Sequence, residues 1–202
     1  MALESGVSQV DGASDERQGW IEKIASTLLS YREGAEPMGT PEEMIAEASR
    51  KAFKISTALG LIPGPMGVAA ILPEVAVLTR LQINLIYRIA KYHGRGETVD
   101  STIVLLILAN VLGVAGGEVL ARRVGSTLVK RSVNSPIITS LARRIGTRII
   151  DTTAEKAASR WIPMLTAPLF GYLSRSLTMK IGREAERILS LPILRAPGEG
   201  EV

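Results

Sequence analysis

The sequence predicts an all-α protein, a compact helical bundle of about six to seven helices with Pro/Gly-broken apolar hairpins. Three observations support this fold class. Apolar residues recur at intervals of three and four over most of the chain, which is the spacing of an amphipathic helix. The residues that begin and end these segments are helix caps. A length of 202 residues also suits one domain with a sizeable core.

Composition divides the chain into one helical domain and two tails. Residues 1–15 are mostly small, polar or acidic, and are predicted to be a disordered N-terminal tail. Residues 16–190 are predicted to be a single helical domain, and residues 191–202 a flexible C-terminal tail. Within the domain, residues 16–60 form acidic amphipathic helices and residues 61–190 form an apolar and basic helical core.

Two amphipathic helices open the domain. The first, over residues 16–33, carries its apolar residues on one side: Trp20, Ile21, Ile24, Leu28 and Leu29. The second has Thr40 as N-cap, Glu43 at the capping-box position and Gly60 as its stop. Its inward residues are predicted to be Met44, Ile45, Ala48, Ala52 and Ile55.

The segment from Ile55 to Pro73 carries no charge, but prolines and glycines interrupt it. The hairpin break consists of Pro63, Gly64, Pro65 and Gly67. Each interior proline removes a helix hydrogen bond and clashes with the preceding turn, at a cost of about 3 kcal/mol. We therefore expect a break between two helices, the second starting at Pro73 and ending before Gly94. The resulting hairpin is either buried in the bundle or shallowly inserted in a membrane.

Residues 101–117 are apolar all round the helical wheel, interrupted only by Asn110. Such a helix lies at the centre of a large bundle or spans a membrane, and this length is at the lower limit for a span. Gly113 and Gly117 are spaced so that another helix can approach closely. Gln82 lies in the apolar face of the preceding helix. Gln82 and Asn110 are predicted to be buried polar ties, because a buried amide needs hydrogen-bond partners.

The last two helices have different patterns. One begins at Ser135–Pro136, and the other, over residues 169–189, follows an apolar stretch that Pro163 and Pro168 are predicted to break. The apolar face of the last helix is predicted to consist of Phe170, Leu173, Leu177, Ile181 and Ile188. Small residues border this face and favour close helix contact, within the chain or by self-association: Gly171, Ser174, Thr178 and Ala185.

Positive charge is concentrated between Val119 and Ile150, where no acidic residue occurs. The seven basic residues are Arg122, Arg123, Lys130, Arg131, Arg143, Arg144 and Arg148. Such a block beside apolar helices attracts anionic lipid, at about 1 kcal/mol for each well-placed base; the alternative is an ordinary solvated helix face. We expect no nucleic-acid partner, because aromatic residues make up only 4% of the chain.

The sequence predicts no enzyme activity and no cofactor. Cysteine is absent, so thiolate metal sites and cysteine nucleophiles are excluded. The single histidine, His93, falls at a predicted helix C-terminus, where its charge complements the helix dipole. A lone histidine favours neither a zinc site nor a catalytic triad. No GxxxxGK[ST] loop is present.

The segment ALGLIPGPMGVAAILPEVAVLTRLQINLIYRIAKYHG resembles the EcsC family of bacterial proteins. A later WIP that enters a small-residue helix ending in IGREAERIL resembles the closing helix of that family. The chain is also similar to the hydrophobic helical domain appended to some bacterial Era-like GTPases. The resemblance covers roughly residues 48–189 and supplies no catalytic residues. It implies an all-α, membrane-linked bacterial protein, named from an operon with an ABC transporter.

Two main functions stay open on this basis, beside a lesser third, membrane disruption by a toxin-like hydrophobic hairpin. The first is a non-enzymatic membrane-associated protein that docks on, or partly inserts into, the cytoplasmic face of a bacterial inner membrane. Its partner would be anionic lipid or a membrane protein, in a transport or envelope process. The second is a soluble cytoplasmic helical bundle that binds a protein or a hydrophobic ligand.

Overall fold

The computed structural model describes residues 4–30, 36–62, 70–114, 136–159 and 163–191. These ranges contain no strand, and the all-α bundle predicted from the sequence is confirmed. The helices are α1 (Glu4–Ser30), α2 (Pro41–Gly60), α3 (Ile71–Tyr92), α4 (Ser101–Val111), α5 (Pro136–Ser159) and α6 (Pro163–Leu189). The predicted hairpin break, Pro63, Gly64, Pro65 and Gly67, lies outside the described residues.

The start of α2 is the one that the sequence predicted. Thr40 Oγ1 accepts a hydrogen bond from the Glu43 amide, and Glu43 Oε2 accepts one from the Thr40 amide. This reciprocal pair satisfies two backbone donors that have no partner inside the helix. The helix ends at Gly60, as predicted.

Helices α2 and α6 are antiparallel and very close. A β-carbon added at Gly60 would contact Ala167, and one added at Gly182 would contact the Ile45 side chain. Gly171 lies between these two levels, against the Phe53 ring. Glycine at these points lets the two backbones approach more closely than a larger residue would allow. Gly171 and Gly182 of α6 therefore pack within the chain, on α2.

Helix α3 packs against both α2 and α6. Ser56 Oγ donates to Glu74 Oε1 at 2.5 Å, and Arg88 Nη1 donates to Glu47 Oε2 at 3.0 Å. These two contacts make α3 antiparallel to α2. The C-terminus of α2 therefore lies at the same end of the bundle as the N-termini of α3 and α6.

Helix α4 lies in the core and is shorter than predicted. Ile103 to Ala109 are all buried. Asp100 Oδ1 accepts hydrogen bonds from the amides of Thr102 and Ile103 at its start. The helix has 11 residues, because Gly113 adopts a φ of 65° and ends it. The prediction that apolar helix continues to residue 117 is therefore wrong at Gly113, and Gly117 lies outside the described residues.

Helices α1 and α5 form an antiparallel pair beside α4. Arg17 pairs with Asp151, and Arg143 Nε lies 2.9 Å from Glu22 Oε1. Helix α1 begins at Glu4, where the sequence predicted a disordered tail to residue 15. A helix that is already nucleated can extend at little further cost per residue, even through a segment of low propensity. The division into tails and one domain otherwise stays a prediction.

Of the two predicted interruptions before the last helix, the one at Pro168 is wrong, whereas a new helix does begin at Pro163. Helix α6 begins at Pro163 and contains Pro168. Proline is favoured at the first helical position. Pro168 lies near the start of the helix, so its missing N–H removes a bond only to the first turn, and its side chain is exposed.

Candidate functional site

One end of the bundle exposes large apolar side chains. We call it the apolar tip and define it as Leu61, Leu169, Tyr172 and Leu173. Their exposed fractions are 53%, 53%, 63% and 44%, respectively. Leu61 directly follows α2, and the other three follow Ala167, which packs on Gly60, by two to six residues. All four therefore lie within about 9 Å, along the helix axes, of the level at which Gly60 meets Ala167.

A polar network beneath the tip joins α2, α3 and α6. Ser56 Oγ contacts Glu74 Oε1 at 2.5 Å and Ser174 Oγ at 2.6 Å. Ser56 is fully buried, and Glu74 and Ser174 are each 3% exposed. A buried carboxyl group is tolerated only when its oxygens find hydrogen-bond partners. The network therefore fixes the three helices that carry the tip.

Exposed cations lie just behind the tip. We call Lys54, Arg80 and Arg175 the cationic belt; all three are exposed. On a rise of 1.5 Å per residue they lie about 9–15 Å from the level of Gly60. None of them makes an ion pair or side-chain hydrogen bond with another described residue. Glu74 is the only acidic residue of α2, α3 or α6 near this end, and it is buried in the network.

The sequence predicted a different basic surface. Arg143, Arg144 and Arg148 are exposed on α5, which packs on α1, and so do not belong to the helices that form the tip. Arg143 is neutralised by Glu22. The other predicted surface residues, Arg122, Arg123, Lys130 and Arg131, lie outside the described residues.

The two predicted polar ties each have a partner inside the protein. Gln82 is buried, and its Nε2 donates to Thr178 Oγ1 at 3.4 Å, which joins α3 to α6. Asn110 is half-buried, and its Nδ2 donates to Glu184 Oε1 at 2.7 Å, which joins α4 to α6. The Arg187 guanidinium, and next the Asn110 amide, hold the pKa of Glu184 below its ordinary value of 4.5, against the opposing effect of burial.

Sequence reasoning missed the tip because it placed Leu173 in the core together with Phe170, Ile181 and Ile188, of which the last three are indeed buried. Leu173 was predicted to be in the core but is exposed, while Gly171, Ser174 and Thr178, predicted to border the core face, are buried. The signal was present in the sequence. Small residues recur at helical spacing through α6, and that spacing is typical of a closely packed face.

Comparison with protein-family models, with curated proteins and with solved structures gave no match to the chain. The resemblance to the EcsC family therefore stays a prediction. Within the part of the chain that the structure describes, no helix combines the length and the apolarity needed to span a bilayer.

Proposed function

We propose that this protein is a non-enzymatic, EcsC-like peripheral membrane protein that docks by its apolar tip on the cytoplasmic face of a bacterial inner membrane. The observation that carries the proposal is the position of the exposed tip side chains in front of unpaired cations. An apolar end that enters the lipid surface, followed by cations at the level of the phosphates, is the arrangement by which interfacial proteins bind anionic bilayers.

The expected affinity is moderate and depends on salt. Full burial of a leucine or aromatic side chain contributes about 1.5–3 kcal/mol, so covering the exposed half of each tip residue contributes about 1 kcal/mol. Each belt cation adds about 1 kcal/mol on an anionic surface. The two contributions together favour reversible docking over permanent insertion. The role in the cell would be accessory, in a transport or envelope process.

Vesicle co-sedimentation tests the proposal. The wild-type protein should pellet with vesicles rich in anionic lipid and much less with purely zwitterionic vesicles. L169E and Y172E place charge at the tip and should abolish pelleting. M38E is the matched control, because Met38 is 76% exposed and precedes α2, at the opposite end of that helix. An equal loss of pelleting with M38E, or unchanged pelleting of the tip variants, would contradict docking by the tip.

A second candidate is a soluble bundle that binds a protein or a hydrophobic ligand through the same exposed end. The observation that favours it is the pairing of Gln82 with Thr178 and of Asn110 with Glu184. A protein that packs in water must satisfy such amides internally. Wild-type protein that stays in the supernatant with every vesicle composition would favour this function over membrane docking.

A further inference from the structure

A second feature of the α2–α6 pair is a groove of about 410 Å³. We call it the cationic groove. Ser49 and Arg50 line it from α2, and Arg175, Met179 and Arg183 line it from α6. The three α6 residues are spaced four apart, so they lie on one face over two turns. The groove therefore brings three guanidinium groups from two antiparallel helices around one space.

These three arginines differ from the arginines of the bundle that are already paired. Arg17, Arg88, Arg143 and Arg187 each pair with a carboxylate. Arg50, Arg175 and Arg183 make no ion pair or side-chain hydrogen bond with any described residue. Two acids also line the groove, Glu42 at an exposed position and Glu186. Glu186 Oε2 already lies 2.9 Å from His93 Nε2. The groove thus retains an excess of positive charge.

Ser49 gives a second, independent indication of a ligand. It is 1% exposed, it lines the groove, and its hydroxyl has no hydrogen-bond partner. A helical serine commonly donates to the carbonyl four residues earlier, as Ser30 does to Ser26. A buried hydroxyl without a partner is costly, and because this oxygen is closed to solvent, a small rotation of the side chain would bring it onto a ligand oxygen in the groove and remove that cost.

We propose that the cationic groove binds a phosphate group. The planar guanidinium presents donors in a fork that matches phosphate oxygens in pairs, and the Ser49 hydroxyl adds a neutral donor. Two sources share this chemistry: the head group of an anionic lipid, or a free phosphate-bearing small molecule. The lipid source rests on the proposed membrane function, because Arg175 belongs both to the groove and to the cationic belt. Binding of a free phosphate compound does not depend on the membrane function.

Titration with inorganic phosphate tests binding apart from membranes. Amide NMR shifts are followed at constant ionic strength, with chloride as reference. Phosphate should shift the amide resonances of residues around Ser49 and Arg183. The double variant R50Q/R183Q should weaken binding by at least about tenfold, and S49A by up to about tenfold. R144Q is the control, because Arg144 is exposed and unpaired among the described residues of α5; it should bind as the wild type does. Urea unfolding verifies that each variant folds.

Vesicles then distinguish the two sources. If R50Q/R183Q also loses a preference for vesicles that contain a phosphomonoester lipid, the ligand is a lipid head group. If phosphate binds in solution while vesicle binding is unchanged, the ligand is a free phosphate compound. The proposal is overturned by two results together. Phosphate would shift the amide resonances of the groove residues no more than chloride does, and the double variant would bind vesicles as the wild type does. Failure of all vesicle binding, with phosphate binding intact, contradicts only the membrane function.

Discussion

Gly171 is a residue at which side chains of α2 pack directly against the backbone of α6. A β-carbon there would lie 3.0 Å from the Phe53 ring and would collide with Thr57 Oγ1. Because the interior is close-packed, we expect G171A to lower the free energy of unfolding by about 1–3 kcal/mol in urea denaturation. G19A is the matched helical control, since nothing lies within 4 Å of its added methyl group. That variant should gain up to about 1 kcal/mol from helix propensity. Equal stability of the two variants would contradict the close approach.

Glu184 makes the stability of the bundle depend on pH. The guanidinium of Arg187 and the amide of Asn110 hold its pKa below 4.5 in the folded protein. The carboxylate therefore contributes fully to stability above pH 4.5, and this contribution is lost as the pH falls through the lowered folded-state pKa. We expect E184Q to lower the free energy of unfolding at neutral pH and to lose less of it on acidification than the wild type. If the free energy of unfolding of both proteins, measured by urea denaturation, fell equally below pH 4.5, this assignment would be contradicted.

At the scale of single elements, α4 depends on its N-cap. Asp100 accepts hydrogen bonds from two backbone amides that have no partner inside the helix. D100A should cost about 1 kcal/mol in the free energy of unfolding, whereas D100N keeps an acceptor oxygen and should cost less. Thermal unfolding of the two variants against the wild type measures this difference. Equal costs for D100N and D100A would mean that the charge, which both variants remove, and not the hydrogen bonds, is what stabilises the start of α4.

The elements that the sequence predicted well are those with local signals. The capping box at Thr40 is a short-range feature, and both ends of α2 are where they were expected, although Gly60 is the last helical residue and has no positive φ. The end of α4 was missed because Gly113 has two possible roles, a close-packing site or a helix stop, and sequence alone does not separate them. In the structure Gly113 has a φ of 65°, which is the conformation of a glycine that ends a helix.

The inward face of α6 was predicted only in part. Phe170, Ile181 and Ile188 are buried as the apolar pattern predicted, but the buried face turns toward the small residues and leaves Leu173 exposed. The tight contact with α2 favours the small residues, because Gly171 and Gly182 allow the backbones to come together over a long stretch. The cost is the exposure of Leu169 and Leu173, which are among the residues that define the apolar tip.

At the scale of the whole molecule, the tip and the belt arise from the register of three helices. Lys54, Arg80 and Arg175 are far apart in the chain, and only the antiparallel packing of α2 on α3 and α6 brings them to similar depths. The basic block between Val119 and Ile150, which the sequence shows directly, is a local feature of the chain, and part of it lies on α5. A candidate surface of this kind cannot be derived without the tertiary arrangement.

The two basic surfaces make different predictions for vesicle binding. K54Q/R80Q should weaken affinity for anionic vesicles by about thirtyfold, since each belt cation contributes about 1 kcal/mol. R144Q/R148Q removes two exposed charges from α5 and should change affinity much less. A salt titration should reduce wild-type binding more than binding of K54Q/R80Q. A larger loss of vesicle affinity for R144Q/R148Q than for K54Q/R80Q would assign docking to the α5 surface.

The most direct test of docking by the apolar tip uses the absence of cysteine in this chain. Single cysteines at Tyr172 and at Met38 can each carry an environment-sensitive fluorophore, and both side chains are well exposed. On addition of anionic vesicles, we predict a blue shift and increased emission at position 172, with no change at position 38. Equal responses at the two positions, or a response only at position 38, would contradict the account.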